Sequence, residues 1–231
     1  MCDDTLPPAM IDAVLLDLDN TVCEYRRSGA EVLSTAFERA GIEPMFSAAD
    51  YYEAVDEYAD GSSMADIRER CFVALAEEAG YDPGSGRTVA REYEAERDHR
   101  NVRFTPGARE VIDSLRADHR LGLVTNGSPE MQREKLAGLG IEDAFEATVF
   151  AGVDAPYKPS PEPFRQALNS LAVSPERALH VGDSLLADVA GAHEAGLRSA
   201  WVPGGDADPD PDPSPDYVLG SLGDLREPPW R

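Results

Sequence analysis

Residues 13–21 read AVLLDLDNT, and this stretch decides the fold. Its apolar run, Ala13–Leu16, is bounded by turn-forming residues, which predicts a buried strand of a parallel sheet. Two carboxylates, Asp17 and Asp19, follow the run directly. Ligands bind just past the carboxyl ends of such strands, and a buried carboxylate is costly without a charge or metal beside it. The rest of the chain must therefore supply partners for these two acids.

Composition and charge exclude several classes of protein. The chain has 231 residues, of which 42% are hydrophobic, which suits one large domain or one domain with a smaller insert. Its net charge of −23 repels nucleic acid and anionic membranes, so neither is expected as a partner. No apolar run is long enough to span a membrane and the first residues carry no signal-peptide pattern, so we expect a cytoplasmic protein.

The basic residues are almost all arginine, because Lys135 and Lys158 are the two lysines of the chain. Few lysines and many acids are typical of a halophilic protein, since salt screens the self-repulsion of its surface. An ordinary acidic enzyme is the alternative. The cysteines have no disulfide or zinc spacing and are expected as reduced thiols, and the histidines as surface or packing residues. These residues are Cys2, Cys23, Cys71, His99, His119, His180 and His193.

The pattern after the first strand predicts a helical insert and then regular alternation. Helices are predicted from the capping pair Ser28 and Glu31, from Ser47, from Ser63 and over residues 88–99. Strands then alternate with helices. The strands are predicted at 121–125, 147–150, 178–181 and, as the last one, 198–202; the helices at 129–139, 161–171, 185–195 and from Thr105-Pro106.

This order predicts an α/β fold, with a doubly wound, Rossmann-like parallel sheet and an inserted helical domain. Residues 1–21 and 102–231 form the predicted core, and residues 22–101 the insert, with hinges near 22–27 and 101–105. The acidic, proline-rich stretch 204–216 is predicted to be a mobile loop. Asp206, Asp208 and Asp210 resemble a calcium loop, but Pro211 stands where that loop needs glycine, so calcium is rejected.

Polar residues follow four of these predicted strands. Besides Asp17 and Asp19, they are Thr125-Asn126-Gly127, the loop with Lys158, and Gly182-Asp183 with Asp188 behind it. In a doubly wound sheet these strand ends meet at one edge. Taken together, the motifs resemble the haloacid dehalogenase superfamily: DxDx[TV] at Asp17–Thr21, Thr125 closing a strand, Lys158 before Pro159, and GDxxxxD from Gly182. The insert resembles that family's C1-type cap.

The resemblance implies a Mg²⁺-dependent phosphomonoester hydrolase that acts on a small phosphorylated metabolite. Asp17 is then the nucleophile that forms an aspartyl-phosphate, and Asp19 the general acid and base. The implied Mg²⁺ ligands are Asp17, the main-chain carbonyl of Asp19, and Asp183, with Asp188 supporting them from behind. The Thr125 hydroxyl, the Asn126 main-chain N–H and the Lys158 ammonium are implied to hold phosphoryl oxygens.

Several of these residues also have a purely structural interpretation. Thr125 could merely end a strand, Asp183 could cap the next helix, and Asp188 could be a surface acid. Lys135, beside Glu134 and Arg133, is expected on a solvated helix face. Arg26, Arg27 and the tyrosines of the insert could contact substrate, but they are expected as packing or surface residues.

Other functions of the same fold remain open at this stage. A sugar-phosphate mutase shares the motifs and the cap type. A 2-haloacid dehalogenase is disfavoured because it lacks the second acid, here Asp19. A non-catalytic binding relative is disfavoured because none of the four motifs is damaged. Asn20 stands where many relatives have glycine, which does not indicate a loss of function.

Overall fold

The computed structural model describes residues 10–58, 63–205 and 210–230. Two compact units divide the chain. One unit holds the chain up to Glu24 and from Val102 onward, and the other holds Tyr25–Asn101. Cys2, Asp206 and Asp208, which were predicted above as a thiol and as part of an acidic loop, lie outside the described residues.

The first unit is built on a six-stranded parallel sheet in the order β5-β4-β1-β6-β7-β8. Helices cross between its parallel strands, as the alternating pattern predicted. The strands of this sheet are β1 Ala13–Leu16, β4 Arg120–Asn126, β5 Ala147–Ala151, β6 Ala178–Gly182, β7 Arg198–Trp201 and β8 Tyr217–Val218. The strand predicted at 198–202 is not the last of the sheet, because β8 follows it; with two residues, β8 is too short for an alternating pattern to show.

The central position of β1 decides where the site lies. Leu16 is level with Leu123 of β4 and with Val181 of β6, so these three strands end at one edge. All four residues of β1 are fully buried, as expected of a strand covered on both faces. Asp17 continues the ladder, its N–H donating to the Val181 carbonyl at 2.9 Å.

Helices pack on this sheet and close its core. Phe164, Leu168 and Leu171 of one helix pack against Leu15 and Val124 of the strands. The helices are α5 Ala108–Asp118, α6 Pro129–Leu139, α7 Glu162–Leu171 and α8 Gly191–Ala195, the last preceded by a π-helical turn, Leu185–Ala190.

Two details of these helices differ from the prediction. Pro106 does not open a helix, because Gly107, with a φ of 77°, is the N-cap and α5 begins at Ala108. The single helix predicted at 185–195 is instead a π-helical turn followed by α8.

The second unit is helical. Its helices are α1 Gly29–Ala40, α2 Ala48–Ala54, α3 Met64–Glu78 and α4 Pro83–Glu96. Ser28 and Glu31 form the predicted capping box, and Phe37, Tyr51 and Phe72 lie in the buried cluster of this unit.

Helix α4 begins five residues before the predicted start at 88. Asp82 caps it and Pro83 occupies its first turn, as proline can. Gly86 is needed inside the helix, since a Cβ there would lie 2.4 Å from the Phe72 carbonyl oxygen. Residues 83–86 are therefore the first turn of α4, and Gly86 allows its close approach to α3.

Two short strands, β2 Cys23–Tyr25 and β3 Val102–Phe104, pair with each other. They lie within the segments that were predicted as hinges, near 22–27 and 101–105. Cys23 and Cys71 are buried free thiols. Within the described residues, no helix has the length and apolar character that a membrane span requires.

Candidate active site

The polar strand ends line one cavity of about 240 Å³ in the first unit. It opens past β1, β4 and β6, at the edge where the parallel strands end together. The residues that line it are Asp17, Asp19, Asn20, Thr125, Asn126, Lys158, Asp183, Ser184, Ala187 and Asp188.

Lys158 lies between two buried carboxylates. Its Nζ is 2.6 Å from Asp17 Oδ1 and 2.6 Å from Asp188 Oδ1, and it also donates to the Val124 carbonyl at 3.0 Å. All three charged side chains are at least nine-tenths buried. Such a cluster is stable only because opposite charges and hydrogen bonds satisfy it. Arginine, which has a wide planar head, could not place one compact charge between two carboxylates.

Burial is the main influence on Asp17. Burial raises the pKa of Asp17, the Lys158 charge lowers it and the Asp188 carboxylate raises it, and the net pKa is about 7. Burial by itself lowers the pKa of Lys158, but Asp17 and Asp188 outweigh it, so the net pKa lies above the usual range. The lysine therefore stays charged, and one positive charge serves more than one carboxylate.

Asp188 is held from three sides. Its Oδ1 accepts from Lys158 and from His180 Nε2 at 2.9 Å, and its Oδ2 accepts from the Ser184 N–H at 3.0 Å. Burial would raise the pKa of Asp188, but Lys158 and His180 lower it below its usual range. Gly182 makes room for this acid, since a Cβ there would lie 2.2 Å from Asp188 Cγ.

Asp188 is therefore not a surface acid, and its hydrogen-bond partner His180, which was expected to be a surface or packing residue, lies beside the predicted site. His180 is fully buried. Burial lowers the pKa of His180, so the ring is neutral and donates from Nε2 to the carboxylate. Its place in the middle of β6, inside an apolar run, gave no separate signal.

Asp183 faces the cavity and is not a helix cap. Ser184 is the N-cap of the turn that follows, with its Oγ accepting from the Ala187 N–H at 3.1 Å. Trp201 Nε1 donates to the Asp183 carbonyl at 2.8 Å, and Asn20 Nδ2 donates to Asp183 Oδ2 at 3.3 Å. Burial, followed by the Asp188 charge, raises the pKa of Asp183 to about 6.

The backbone explains the departure at Asn20. Its φ is 58°, in the left-handed region that glycine adopts freely and that asparagine tolerates better than most residues. Asparagine thus meets the same backbone requirement as glycine and adds a donor to Asp183.

The carboxylates fit a hard divalent cation. Asp17, Asp183 and Asp188 each place an oxygen within 4.8 Å of the others. Burial raises the pKa of both Asp17 and Asp183, and a cation beside them would offset the cost of ionising them. All-oxygen donors are what Mg²⁺ prefers. Because both oxygens of Asp188 already accept hydrogen bonds, Asp17 and Asp183 are the better ligands and Asp188 a support.

Thr125 and Asn126 end β4 and line the same cavity. Asn126 Oδ1 accepts from the Lys158 N–H at 2.9 Å and its Nδ2 donates to the Lys158 carbonyl at 3.3 Å, so this side chain fixes the lysine loop. Thr125 is buried and its Oγ1 accepts from Gln132 Nε2 at 2.8 Å. The threonine O–H donates to the Asn126 carbonyl at 3.5 Å, a long hydrogen bond that a better acceptor in the cavity could replace.

The prediction for Lys135 was wrong. Its side chain is 2% exposed, and its Nζ lies 2.7 Å from each carboxylate oxygen of Asp19. Gln132 Nε2 also donates to Asp19 Oδ2 at 3.0 Å. Sequence reasoning missed both residues, although the scarcity of lysine that singled out Lys158 applies equally to Lys135.

The structure thus brings all the predicted site residues to one cavity and shows four further residues that contact them. The additions are Gln132, Lys135, His180 and Trp201. Arg27 lies in the other unit, where it pairs with Glu96 and donates to Thr35 Oγ1 at 2.9 Å.

Comparison with known proteins gives consistent matches. A family model described as haloacid dehalogenase-like hydrolase matches residues 11–196. Phosphoserine phosphatase from Thermus thermophilus is 34% identical, with 93% of this chain and 96% of that protein covered. Glyceraldehyde 3-phosphate phosphatase from Pyrococcus abyssi is 31% identical, with 83% and 81% covered. Among solved structures, the putative HAD-hydrolase YfnB from Bacillus subtilis, bound to magnesium, has a TM-score of 0.75 at 25% identity, with 94% and 97% covered.

Proposed function

The chain belongs to the haloacid dehalogenase-like hydrolases and acts on phosphoric monoesters, and we propose that it does so with Mg²⁺ through an aspartyl-phosphate on Asp17. The observation that carries the proposal is the convergence of Asp17, Lys158 and Asp183 on one cavity. A buried carboxylate beside an ammonium group and a second carboxylate is suited to phosphoryl transfer, which needs a nucleophile and compensation of phosphate charge.

In the first step, an Asp17 oxygen attacks phosphorus and the bond from phosphorus to the ester oxygen breaks. Asp19 donates its proton to that oxygen, so the product leaves as an alcohol. In the second step, Asp19 takes a proton from water, whose oxygen attacks phosphorus and releases phosphate and the Asp17 carboxylate. General acid–base help of this kind is worth ~10²–10⁴ in rate.

The remaining residues hold charge and orientation. Asp17, the Asp19 main-chain carbonyl and Asp183 would hold Mg²⁺, which supplies positive charge against the phosphoryl oxygens. Lys158 binds both Asp17 and Asp188, so it can shift part of its donor capacity to a phosphoryl oxygen without leaving the cavity.

Thr125 and Asn126 supply neutral donors for the same phosphoryl group. The Thr125 Oγ1 is oriented by Gln132, and the Asn126 main chain lies at the end of β4. Hydrogen-bond donors that are fixed before the substrate arrives cost no reorganisation when charge develops.

The substrate is proposed to be a small phosphorylated metabolite. Two of the relatives carry names of this kind, phosphoserine phosphatase and glyceraldehyde 3-phosphate phosphatase. The unit Tyr25–Asn101 has its own buried core and is proposed to act as the cap that selects the substrate.

We also propose a salt-rich cytoplasm as the working environment. The net charge of −23 makes self-repulsion large at low ionic strength, and salt screens it. Activity and the midpoint of unfolding are expected to rise together as KCl is raised from millimolar to molar concentrations. A protein that is equally stable and active at both extremes would contradict this part of the proposal.

The activity test measures phosphate release from a panel of phosphorylated metabolites, with Mg²⁺ and with a chelator. Release is expected with Mg²⁺, and loss is expected for Asp17→Asn. Asp113→Asn is the matched control, because Asp113 is an exposed acid on α5 that contacts Arg109. Full phosphate release by the Asp17→Asn variant would contradict the nucleophile assignment.

A further inference from the structure

Both lysines of this chain are buried against the two acids of the DLD motif, Lys158 on Asp17 and Lys135 on Asp19. We infer that Lys135, together with Gln132, is a positioning residue that fixes the orientation of the Asp19 carboxylate for proton transfer. The inference rests on the proposed function, in which Asp19 is the general acid and base.

Three contacts define the orientation of Asp19. Lys135 Nζ is 2.7 Å from both Oδ1 and Oδ2, and Gln132 Nε2 is 3.0 Å from Oδ2. A single donor on one oxygen would let the carboxylate rotate about its Cβ–Cγ bond. Donors on both oxygens resist that rotation. The pair is asymmetric in exposure: the side chain of Lys135 is 2% exposed and that of Asp19 is 36% exposed. Lys135 therefore contacts Asp19 from the buried side, while Asp19 faces the cavity.

Helix α6 delivers both donors from one face. Gln132 and Lys135 are three residues apart, which places them side by side on a helix. The helix is fixed at its start by Ser128, whose Oγ accepts from the Met131 N–H at 3.3 Å. Gln132 Nε2 also lies 2.8 Å from both Thr125 Oγ1 and the Asn126 carbonyl. One amide group therefore links the acid to the strand end proposed to bind phosphate.

The composition of the chain supports a specific role. Nineteen of its twenty-one basic residues are arginine, and burying an ammonium is costly unless it is paired. Lysine at position 135 is therefore unusual for this chain. It indicates that a compact charge is needed between the two carboxylate oxygens of Asp19. An ion pair that only stabilised the fold would show the same contacts. The test must therefore separate the orientation of Asp19 from the stability of the protein.

Leaving-group dependence makes this separation. An alkyl phosphate such as glycerol 3-phosphate needs a proton on the departing oxygen, whereas 4-nitrophenyl phosphate releases a stable anion without one. Lys135→Met is expected to lower kcat/KM for the alkyl ester ~10–100-fold, and for the aryl ester by a much smaller factor. The value of kcat/KM reports only the steps up to loss of the leaving group. The later use of Asp19 as a base therefore does not affect it.

Leu136→Ala is the matched control. Leu136 is buried on the same helix, next in sequence to Lys135, and its truncation should lower the melting temperature while leaving the ratio of the two kcat/KM values unchanged. Lys135→Met with the same loss on both esters, or with no loss on either, would overturn the inference.

A second measurement does not depend on activity. A sample labelled with ¹³C at lysine Cε gives two signals, one from each lysine. Asp19→Asn is expected to shift the Lys135 signal and Asp17→Asn the Lys158 signal. A wild-type protein that releases phosphate from no member of the metabolite panel would refute the proposed function, and the lysine signals would still decide the pairing. A Lys135 signal that does not respond to Asp19→Asn overturns the inference on its own.

Discussion

Gly182→Ala is predicted to damage the site although it replaces no charged residue. An added Cβ would lie 2.2 Å from Asp188 Cγ and 2.5 Å from Asp188 Cβ. Carbon atoms in contact sit about 3.5–4.0 Å apart, so Asp188 must move by ~1 Å or more. Its bonds to Lys158, His180 and the Ser184 N–H, now 2.6, 2.9 and 3.0 Å long, would then be stretched or broken.

The expected size follows from these contacts. Overpacking alone costs ~1–3 kcal/mol, and each hydrogen bond to a charged group is worth ~1.5–3 kcal/mol. We therefore expect Gly182→Ala to lose at least about 3 kcal/mol of unfolding free energy. Since Asp188 supports the carboxylates and Lys158, kcat/KM for 4-nitrophenyl phosphate should fall ~10–100-fold at saturating Mg²⁺. Chemical denaturation and initial rates, both at a temperature where each variant is folded, measure the two effects.

Gly122→Ala is the control for crowding as such. Its Cβ would lie 2.6 Å from Leu15 Cδ2, in the same sheet but against the core. It should lose ~1–3 kcal/mol of stability while keeping the kcat/KM of its folded fraction. The reasoning is refuted if Gly182→Ala keeps full kcat/KM, or if Gly122→Ala loses as much activity.

Two further predictions concern charge and capping. Asp183→Asn should be more stable than the wild type at pH 8 without Mg²⁺, because the folded protein, in which the pKa of Asp183 is about 6, pays to ionise this acid. A carboxyl whose pKa is raised by folding stabilises the folded state at low pH, and this stabilisation is lost as the pH rises through 6. The difference in unfolding free energy between Asp183→Asn and the wild type should therefore shrink between pH 6 and pH 4. Mg²⁺ should raise the melting temperature of the wild type more than that of the variant, and equal shifts would contradict Asp183 as a ligand. Ser28→Ala should cost about 1 kcal/mol by denaturant titration because it removes the α1 cap, whereas Ser85→Ala inside α4 should be neutral; equal effects would contradict the capping role.

The sheet and the place of the site followed from the sequence because parallel topology leaves few alternatives. Once Asp17, Thr125 and Asp183 each follow an apolar strand, right-handed crossovers bring those ends to one edge. That these three residues are neighbours could be predicted without knowing how the side chains pack.

The errors arose where local patterns compete with tertiary contacts. Lys135 lies beside Glu134 and Arg133, a pattern typical of an exposed face, and its burial depends on Asp19, which is 116 residues away. Gly86 interrupts a helical pattern, yet it is required by the backbone of α3, which no local rule indicates. Strands β2 and β3 have three residues each, too few for an alternation to be recognised.

The central claim is that Asp17 becomes phosphorylated during turnover. The direct measurement is peptide mass spectrometry after acid quench of the enzyme mixed with Mg²⁺ and a phosphate ester that it hydrolyses, with hydride reduction to mark the acyl-phosphate. The account predicts one phosphoryl group on the peptide that contains residues 17–21, with reduction placed at Asp17, and none in Asp17→Asn. Rapid phosphate release with no acyl-phosphate at residue 17, or with the label on another residue, would contradict it.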